Sequence, residues 1–502
     1  MQHSADINPA IGAERLARLE DRVRQDLAYL CLPPANWVPS REKDGERVHD
    51  VVIIGGGMVG LLAYFALWSS GIRNTRILDR NPAGLEGPWL NYARMETLRS
   101  PKQLTGPAYG HASLTFRAWF TALYGEEAWE ALDKIPRPMW MEYLVWYRRV
   151  LDIPVENEVE VKRVRPEGEY LRLELAGRGA KEKSILTRKF IMATGRDGTG
   201  QPNIPDFVNG LPDHSWAHSA DDIDFPALKN KRVVVIGVGA SAVDNSAEAL
   251  EAGAKEVRHL IRRKHMPTIN KMMGIGSPGF TAGYAALPDE WRWRFMQYSF
   301  VTQTPAPRGS TLRVSRHKNA YFHFGQGIRR MNYENSEVVI ETTMGKRLAT
   351  DFVILGTGFT VDPLARTELG AAAGEIMLWR DRYTPPAGEE SNELSNFPYL
   401  DKDFTFRERT PGKAPWLSKV YCFNYGASAS LGKVSGDIPG ISDGAAWLTR
   451  SIAATLYRED VETHWQGMVD YSKPELLGDE WTETDIEDAA EATPAPAFTN
   501  GS

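Results

Sequence analysis

The sequence predicts an α/β protein with two Rossmann-like dinucleotide-binding domains and an N-terminal helix. Three observations carry that expectation. "DVVIIGGGMVG" (50–60) and "KRVVVIGVGASAVD" (231–244) each run from an apolar strand through a glycine-rich turn into a helix. Short apolar runs alternate with helical patterns along most of the chain, the mark of βαβ units and parallel sheets. The 502 residues, 42% of them apolar, suffice for two or three domains with buried cores.

Leu16, Leu19, Val23, Leu27 and Leu30 recur at helical spacing, so residues 12–31 are predicted to form an amphipathic helix that packs on the main domain and ends at Pro33 and Pro34. Strands are expected at 50–54, 74–79, 189–193, 231–236, 256–261, 337–341 and 351–355, and helices at 58–70, 141–151 and 241–253. The aromatic run "GYAALPDEWRWRFMQYSF" (283–300) reads as core or domain interface ahead of a helical lid. Residues 371–415, rich in proline, glycine and acids, read as surface loops, and the acidic, aperiodic stretch from about 481 as disordered. The domain plan is a helical extension (1–47), a first domain in two parts (48–220 and 351–470), a second inserted between them (221–350), and a tail (471–502).

Composition narrows the function. A net charge of −6 with 25% charged residues argues against nucleic acid as a partner. Cys31 and Cys422 are far apart, which excludes a dithiol redox pair, a cysteine metal site and a disulfide framework; no metal is expected. No apolar run reaches the roughly 18–20 residues that span a bilayer, and "MQHSADINPA" has no signal-peptide pattern, so a cytoplasmic enzyme acting on a small molecule is expected. A homo-oligomer stays open.

In the first cradle Gly55, Gly57 and Gly60 form G-x-G-x-x-G: one glycine for the turn, one for backbone approach to a pyrophosphate, one for close packing of helix on strand. The helix N-terminus offers N–H groups and partial positive charge to the phosphates. Asp79 ends the next strand, 22 residues after Gly57, where a carboxylate accepts from a ribose and repels a 2′-phosphate. This suits FAD or NAD. The second cradle has Gly237, Gly239 and Ala242, with Ser241 in reach of a phosphate, and its next strand leads into Arg262, Arg263 and Lys264. Cations there favour a 2′-phosphate, so this site is expected to take NADPH. Two ligands on one chain then imply hydride transfer from nicotinamide to flavin.

These residues resemble the class B flavin-dependent monooxygenases, the group of flavin-containing, N-hydroxylating and Baeyer–Villiger monooxygenases, over about residues 48–460. Besides both cradles, the resemblance rests on "ATGRDGTGQPNIP" (193–205) and "LGTGFTVD" (355–362), which look like the crossings between the FAD and NADPH domains. The loop "GPWLNYARMETLRSPKQLTGP" (87–107) looks like the segment along the flavin, and "NYGASASLGKVSGDIPGISDGAAWL" (424–448) like the return to the isoalloxazine. The family fingerprint F-x-G-x-x-x-H is broken: Phe207 and Gly210 are one residue too far apart. His214 keeps the spacing from Gly210, while His218 keeps the usual interval of 19 residues before Gly237. Where flavin-containing monooxygenases often carry an asparagine, Ser100 stands. The resemblance implies that NADPH reduces FAD and that a C4a-(hydro)peroxyflavin made with O₂ transfers one oxygen atom. It also implies Arg80, Trp89, Val161, Thr194, Gly195, Gly358 and Gly444 as further cofactor-binding positions, and Ser100, Lys102, Gln103 and His218 as catalytic candidates.

The substrate is less legible. The flavin loop carries Arg94, Arg99 and Lys102 against Glu96, and "RGSTLRVSRHKNAYFHFGQGIRR" (308–330) has no acid at all. Such cations suit NADP phosphates or a carboxylate-bearing substrate. The reading is N-hydroxylation of a small polar amine or amino acid, with Baeyer–Villiger or S-oxygenation, or an uncoupled NADPH oxidase or flavin reductase, as alternatives.

Overall fold

Eight strands make the first sheet of the computed structural model, which describes residues 9–196 and 198–481. Seven are β1 (Arg41–Lys43), β2 (Glu46–Ile54), β3 (Thr75–Asp79), β4 (Val155–Asn157), β5 (Glu160–Glu167), β6 (Tyr170–Ala176) and β7 (Ser184–Met192); Val420–Cys422 is the eighth. The order is β4-β3-β2-β7-β6-β5, with β1 beside β2 and Val420–Cys422 beside β7. β2 lies parallel between β3 and β7. Its Val51, Val52 and Ile53 are fully buried, because a central parallel strand is covered on both faces and needs an unbroken apolar run.

Helices cover this sheet. α1 (Pro9–Tyr29) packs Leu16, Leu19, Val23 and Leu27 of the expected stripe on the main core, while Leu30 lies past its end and is exposed. α2 (Met58–Ser69) buries nine of its twelve residues. α3 (Phe116–Ala131) and α4 (Arg137–Val150) bring Trp129, Trp140 and Tyr143 into the same core.

β8 (Gly200–Pro202) leaves the first sheet and later pairs with a returning strand. The second sheet takes β9 (Trp216–His218), β10 (Arg232–Ile236), β11 (Glu256–Ile261) and β12 (Ala320–Phe324). A hairpin-linked antiparallel sheet of β13 (Ile328–Glu334), β14 (Glu337–Thr342) and β15 (Arg347–Thr350) intervenes before β16 (Phe352–Leu355) closes the second sheet in the parallel order β12-β11-β10-β16-β9. β9 and β16 fall just outside the 221–350 span drawn from the sequence, yet both pair here. β17 (Phe359–Val361) runs antiparallel to β8, so the two crossings lie side by side, and the eighth strand of the first sheet is β18 (Val420–Cys422).

α5 (Ala240–Glu251) follows β10 and buries Ala242, Val243 and Ala247 against it. After α6 (Pro278–Gly283), α7 (Asp289–Thr302) sends Trp293 and Met296 into a cluster with Tyr284, Trp379, Phe397 and Tyr399. Tyr284, Trp293 and Met296 of the aromatic run are therefore core, while its Trp291 and Tyr298 are exposed. α8 (Arg308–Ser315) packs on α5.

The 371–415 segment corrects the sequence reading. Its backbone is largely irregular, but Ile376, Leu378, Trp379, Phe397, Phe404 and Phe406 are buried. Without helical or strand periodicity, an apolar set of this kind looks like loop. The described residues 457–481 belong to a separate unit that includes the helix Val461–Asp470; residues 482–502 of the expected tail lie outside the described residues. No helix among the described residues is long and apolar enough to cross a membrane, and no group among them has the make-up of a metal site.

Candidate functional site

The first cradle divides its three glycines by duty. Gly55 adopts φ +98°, and a Cβ there would stand 2.3 Å from the Ala193 carbonyl oxygen. A Cβ on Gly60 would meet the Gly55 carbonyl at 1.8 Å, so α2 can approach β2 only without one. Gly57, the N-cap of α2, has extended backbone, and its nearest neighbour would be the Gly87 Cα at 3.6 Å. The middle position is thus open to a ligand while the outer two are closed by the fold.

Asp79 ends β3 buried beneath this turn. One carboxylate oxygen accepts from the Gly56 N–H at 2.7 Å and the other from Asn81 N–H at 2.7 Å. Burial raises its pKa, and these two N–H groups oppose the shift. A cavity of about 560 Å³ opens beside Gly56 and Gly57, with Glu86, Leu144, Arg148 and Ile153 among its lining. Glu86 is buried and accepts from Arg148 and Asn157, both at 2.7 Å, and from the Gly84 N–H at 2.8 Å. Sequence reasoning missed this cluster because 62 and 71 positions separate Glu86 from its two side-chain partners.

The crossing at 193–199 is knotted to the return segment through Asn424, which is fully buried. Its amide donates to the Met192 carbonyl at 3.0 Å and to the Thr194 hydroxyl at 3.2 Å, and its oxygen accepts from Thr199 Oγ1 and the Gly426 N–H, both at 2.9 Å. Gly195, at φ +76°, faces open space. Gly444 does not: a Cβ there would lie 1.8 Å from the Val434 carbonyl, so it serves helix packing rather than ligand approach. Val161 is a buried core residue of β5, and Arg80 is exposed just past Asp79.

His218 is buried and both ring nitrogens are engaged. Nε2 donates to the Gly358 carbonyl at 2.9 Å and Nδ1 accepts from the Ala220 N–H at 3.1 Å. Burial lowers its pKa and favours the neutral ring. It ties β9 to the second crossing. His214 is exposed, beside Tyr333 Oη at 3.2 Å.

The 87–107 loop holds three of the expected catalytic residues, Ser100, Lys102 and Gln103. Lys102 is buried with its ammonium donating to the carbonyls of Trp129 and Glu130 at the C-terminal end of α3, 4.9 Å from the Trp129 ring centre. A cation fits there because a helix ends in unpaired carbonyls with partial negative charge. Gln103 is exposed and Ser100 half-buried. Trp89 packs edge-on to Trp140, and its carbonyl accepts from Arg137, which also donates to the Met95 carbonyl at 2.9 Å. Arg99 donates to the Pro305 carbonyl at 2.7 Å, joining this loop to the segment after α7.

The second cradle repeats the plan with one exchange. Gly237 has φ +107°, and a Cβ would lie 2.8 Å from the Gly356 carbonyl. Gly239 is the N-cap of α5, and Ser241 is exposed on its first turn. The third position holds Ala242, packed against Gly356. Beyond β11, Arg262 is exposed and makes no ion pair among the described residues. Arg263 instead donates to the Val301 and Phe300 carbonyls, at 2.7 and 3.3 Å, at the end of α7. Of the two arginines expected at a 2′-phosphate, only Arg262 is thus unengaged.

Three arginines of the basic stretch 308–330 are paired with acids from outside it. Arg313 binds Glu251 at 2.6 Å and Glu248 at 3.0 Å, while Arg329 and Arg330 share Glu341 at 3.1 and 2.7 Å. Arg308, Arg316 and Lys318 of the same stretch are exposed. Cys31 is exposed and Cys422 buried, its thiol pushed up to about 12 by desolvation, which leaves it an inert core residue.

Comparison with known proteins fits this geometry. The pyridine nucleotide-disulphide oxidoreductase family model matches residues 52–274, which include both cradles. A FAD-dependent urate hydroxylase of Xanthomonas campestris pv. campestris is 37% identical over 466 residues, 92% of this chain and 98% of that protein. Among solved structures, an ornithine N-hydroxylase of Kutzneria sp. 744, with reduced FAD, NADP⁺ and L-ornithine, aligns with TM-score 0.62 at 17% identity over 81% of this chain and 99% of that one. L-lysine 6-monooxygenase from Pseudomonas syringae aligns with TM-score 0.60 at 17% identity over 82% and 99%. Two cradles in this arrangement, together with full-length similarity to a flavin-dependent hydroxylase, place the chain: it belongs to the class B flavin-dependent monooxygenases.

Proposed function

We propose that this protein uses FAD, NADPH and O₂ to hydroxylate a urate-like oxopurine. The single observation carrying the substrate class is the 37% identity to a urate hydroxylase across 98% of its length. When bound and reduced, FAD supplies the transfer of one oxygen atom from O₂. The chain's own residues do the rest. Gly57 and the α2 N-terminus receive one pyrophosphate and Asp79 faces the adjoining ribose; Gly239 and the α5 N-terminus receive the other, with Arg262 for a 2′-phosphate. Asn424 and His218 fix the two crossings on which the relative placement of the two sites depends.

N-hydroxylation of an amine or amino acid ranks second. Three arginines of the basic stretch that favoured it are paired with Glu248, Glu251 and Glu341, and the ornithine and lysine hydroxylases are similar at 17% identity, which speaks to the fold. The test is to follow NADPH oxidation and ¹⁸O incorporation from ¹⁸O₂ with urate, L-ornithine, L-lysine and a cyclic ketone in parallel. Labelled product from urate, with little H₂O₂, is expected. Labelled hydroxylamine from the amines instead reverses the ranking, and stoichiometric H₂O₂ with every compound identifies an oxidase.

A further inference from the structure

We infer that Gln303 is a binding residue for the pyrophosphate of the nicotinamide dinucleotide. This rests on the reading of the second cradle given above. Gly239 is the glycine over which that pyrophosphate passes, and the space a Cβ would take there is empty but for one group. That group is the side-chain amide nitrogen of Gln303, 3.7 Å away. The amide makes no hydrogen bond within the protein among the described residues. An N–H donor therefore lies beside the N-terminus of α5, where the first-turn N–H groups have no intrahelical partner.

The backbone around Gln303 is fixed for this placement. Residue 303 caps α7 with its N–H on the Ser299 carbonyl at 3.0 Å, and it adopts φ +56°, ψ 138°, a conformation that a residue with a side chain rarely takes. Two arginines hold the segment on either side. Arg263, from the end of β11, donates to Val301 and Phe300, and Arg99, from the flavin-side loop, donates to Pro305. Residues 300–305 thus form a strap tethered at one end to the nicotinamide cradle and at the other to the flavin loop, with Gln303 between the tethers. Glycine would relieve the backbone at 303, so the side chain is present despite the conformation rather than because of it.

The test is calorimetric titration of NADP⁺ into the FAD-loaded wild type, Gln303→Gly and Gln303→Glu, with flavin content and thermal midpoint measured on each. Gln303→Gly keeps the backbone geometry and is expected to fold with full flavin and an unchanged or higher midpoint. It should weaken NADP⁺ about tenfold or more, the loss of one hydrogen bond to a charged group. Gln303→Glu places a carboxylate toward the phosphates and should weaken binding further, more so at low salt. If both variants bind NADP⁺ within twofold of wild type, Gln303 has no such role and the cradle reading stands. A wild type that binds neither NADP⁺ nor NAD⁺ overturns both.

Discussion

The methyl carbon of Ala242 stands 2.3 Å from the point that a Cβ on Gly356 would occupy. In the first cradle the close approach of helix to strand is met by Gly60; in the second it is met by a glycine on the neighbouring chain segment, just after β16. Gly356→Ala should destabilise the protein by about 1–3 kcal/mol, the cost of overpacking. Ala242→Gly in the same chain should restore part of it, but not all, because the new Cβ also lies 2.9 Å from the Ile236 carbonyl. Denaturation of the two single variants and the double variant measures the coupling. Additive effects would show that the two sites do not touch.

Gly57 and Gly60 should fail differently. Gly57 has extended backbone and no atom nearer than 3.6 Å to a new Cβ, so Gly57→Val is expected to fold with native circular dichroism and to retain no flavin. Gly60→Ala is expected to lose stability whether or not flavin is added, since its Cβ would meet the Gly55 carbonyl. A yellow Gly57→Val protein with wild-type flavin content overturns the assignment of the first cradle.

The two arginines after β11 should separate in nucleotide choice. Arg262→Ala is expected to reduce the ratio of kcat/KM for NADPH over NADH by about tenfold or more, the loss of a charge-assisted bond to the 2′-phosphate. Arg263→Ala should alter this ratio much less and raise KM for both nucleotides, because Arg263 holds the end of α7. An unchanged ratio in the double variant removes the 2′-phosphate site from this position.

His259 should make the nucleotide-binding sheet sensitive to acid. Its ring is fully buried, stacked on Phe322 at 4.6 Å and bonded through Nδ1 to the Gly237 carbonyl at 3.0 Å, and burial pushes its pKa down to about 4. In the unfolded chain the value is about 6.5, so between those limits the unfolded state binds a proton that the folded state refuses. Stability from this group is present above pH 6.5 and falls as the pH drops toward 4, by about 3 kcal/mol in all. His259→Phe keeps the stack and removes the titration. It should start less stable at pH 7 and lose less on going to pH 5, by thermal denaturation at both values; parallel losses would exonerate the histidine.

Both cradles, the strands around them and α1 were legible in the sequence because each depends on neighbours a few residues away. A glycine turn, an apolar strand and a helical stripe repeat at fixed short spacing, so their physics is written locally. Gly55, Gly57, Asp79 and Gly237 could be given roles for that reason. What only the tertiary structure decided is which side chains remain for chemistry. Lys102, Arg263 and His218 looked available, and each is engaged by a backbone carbonyl brought in by the fold: Trp129 and Glu130, Val301 and Phe300, and Gly358. Every residue carries a carbonyl, so no sequence pattern marks the one that will be nearby. Arg313, Arg329 and Arg330 met Glu248, Glu251 and Glu341 in the same way. Local spacing determined where two dinucleotides can lie; long-range packing determined which charges are left to meet them.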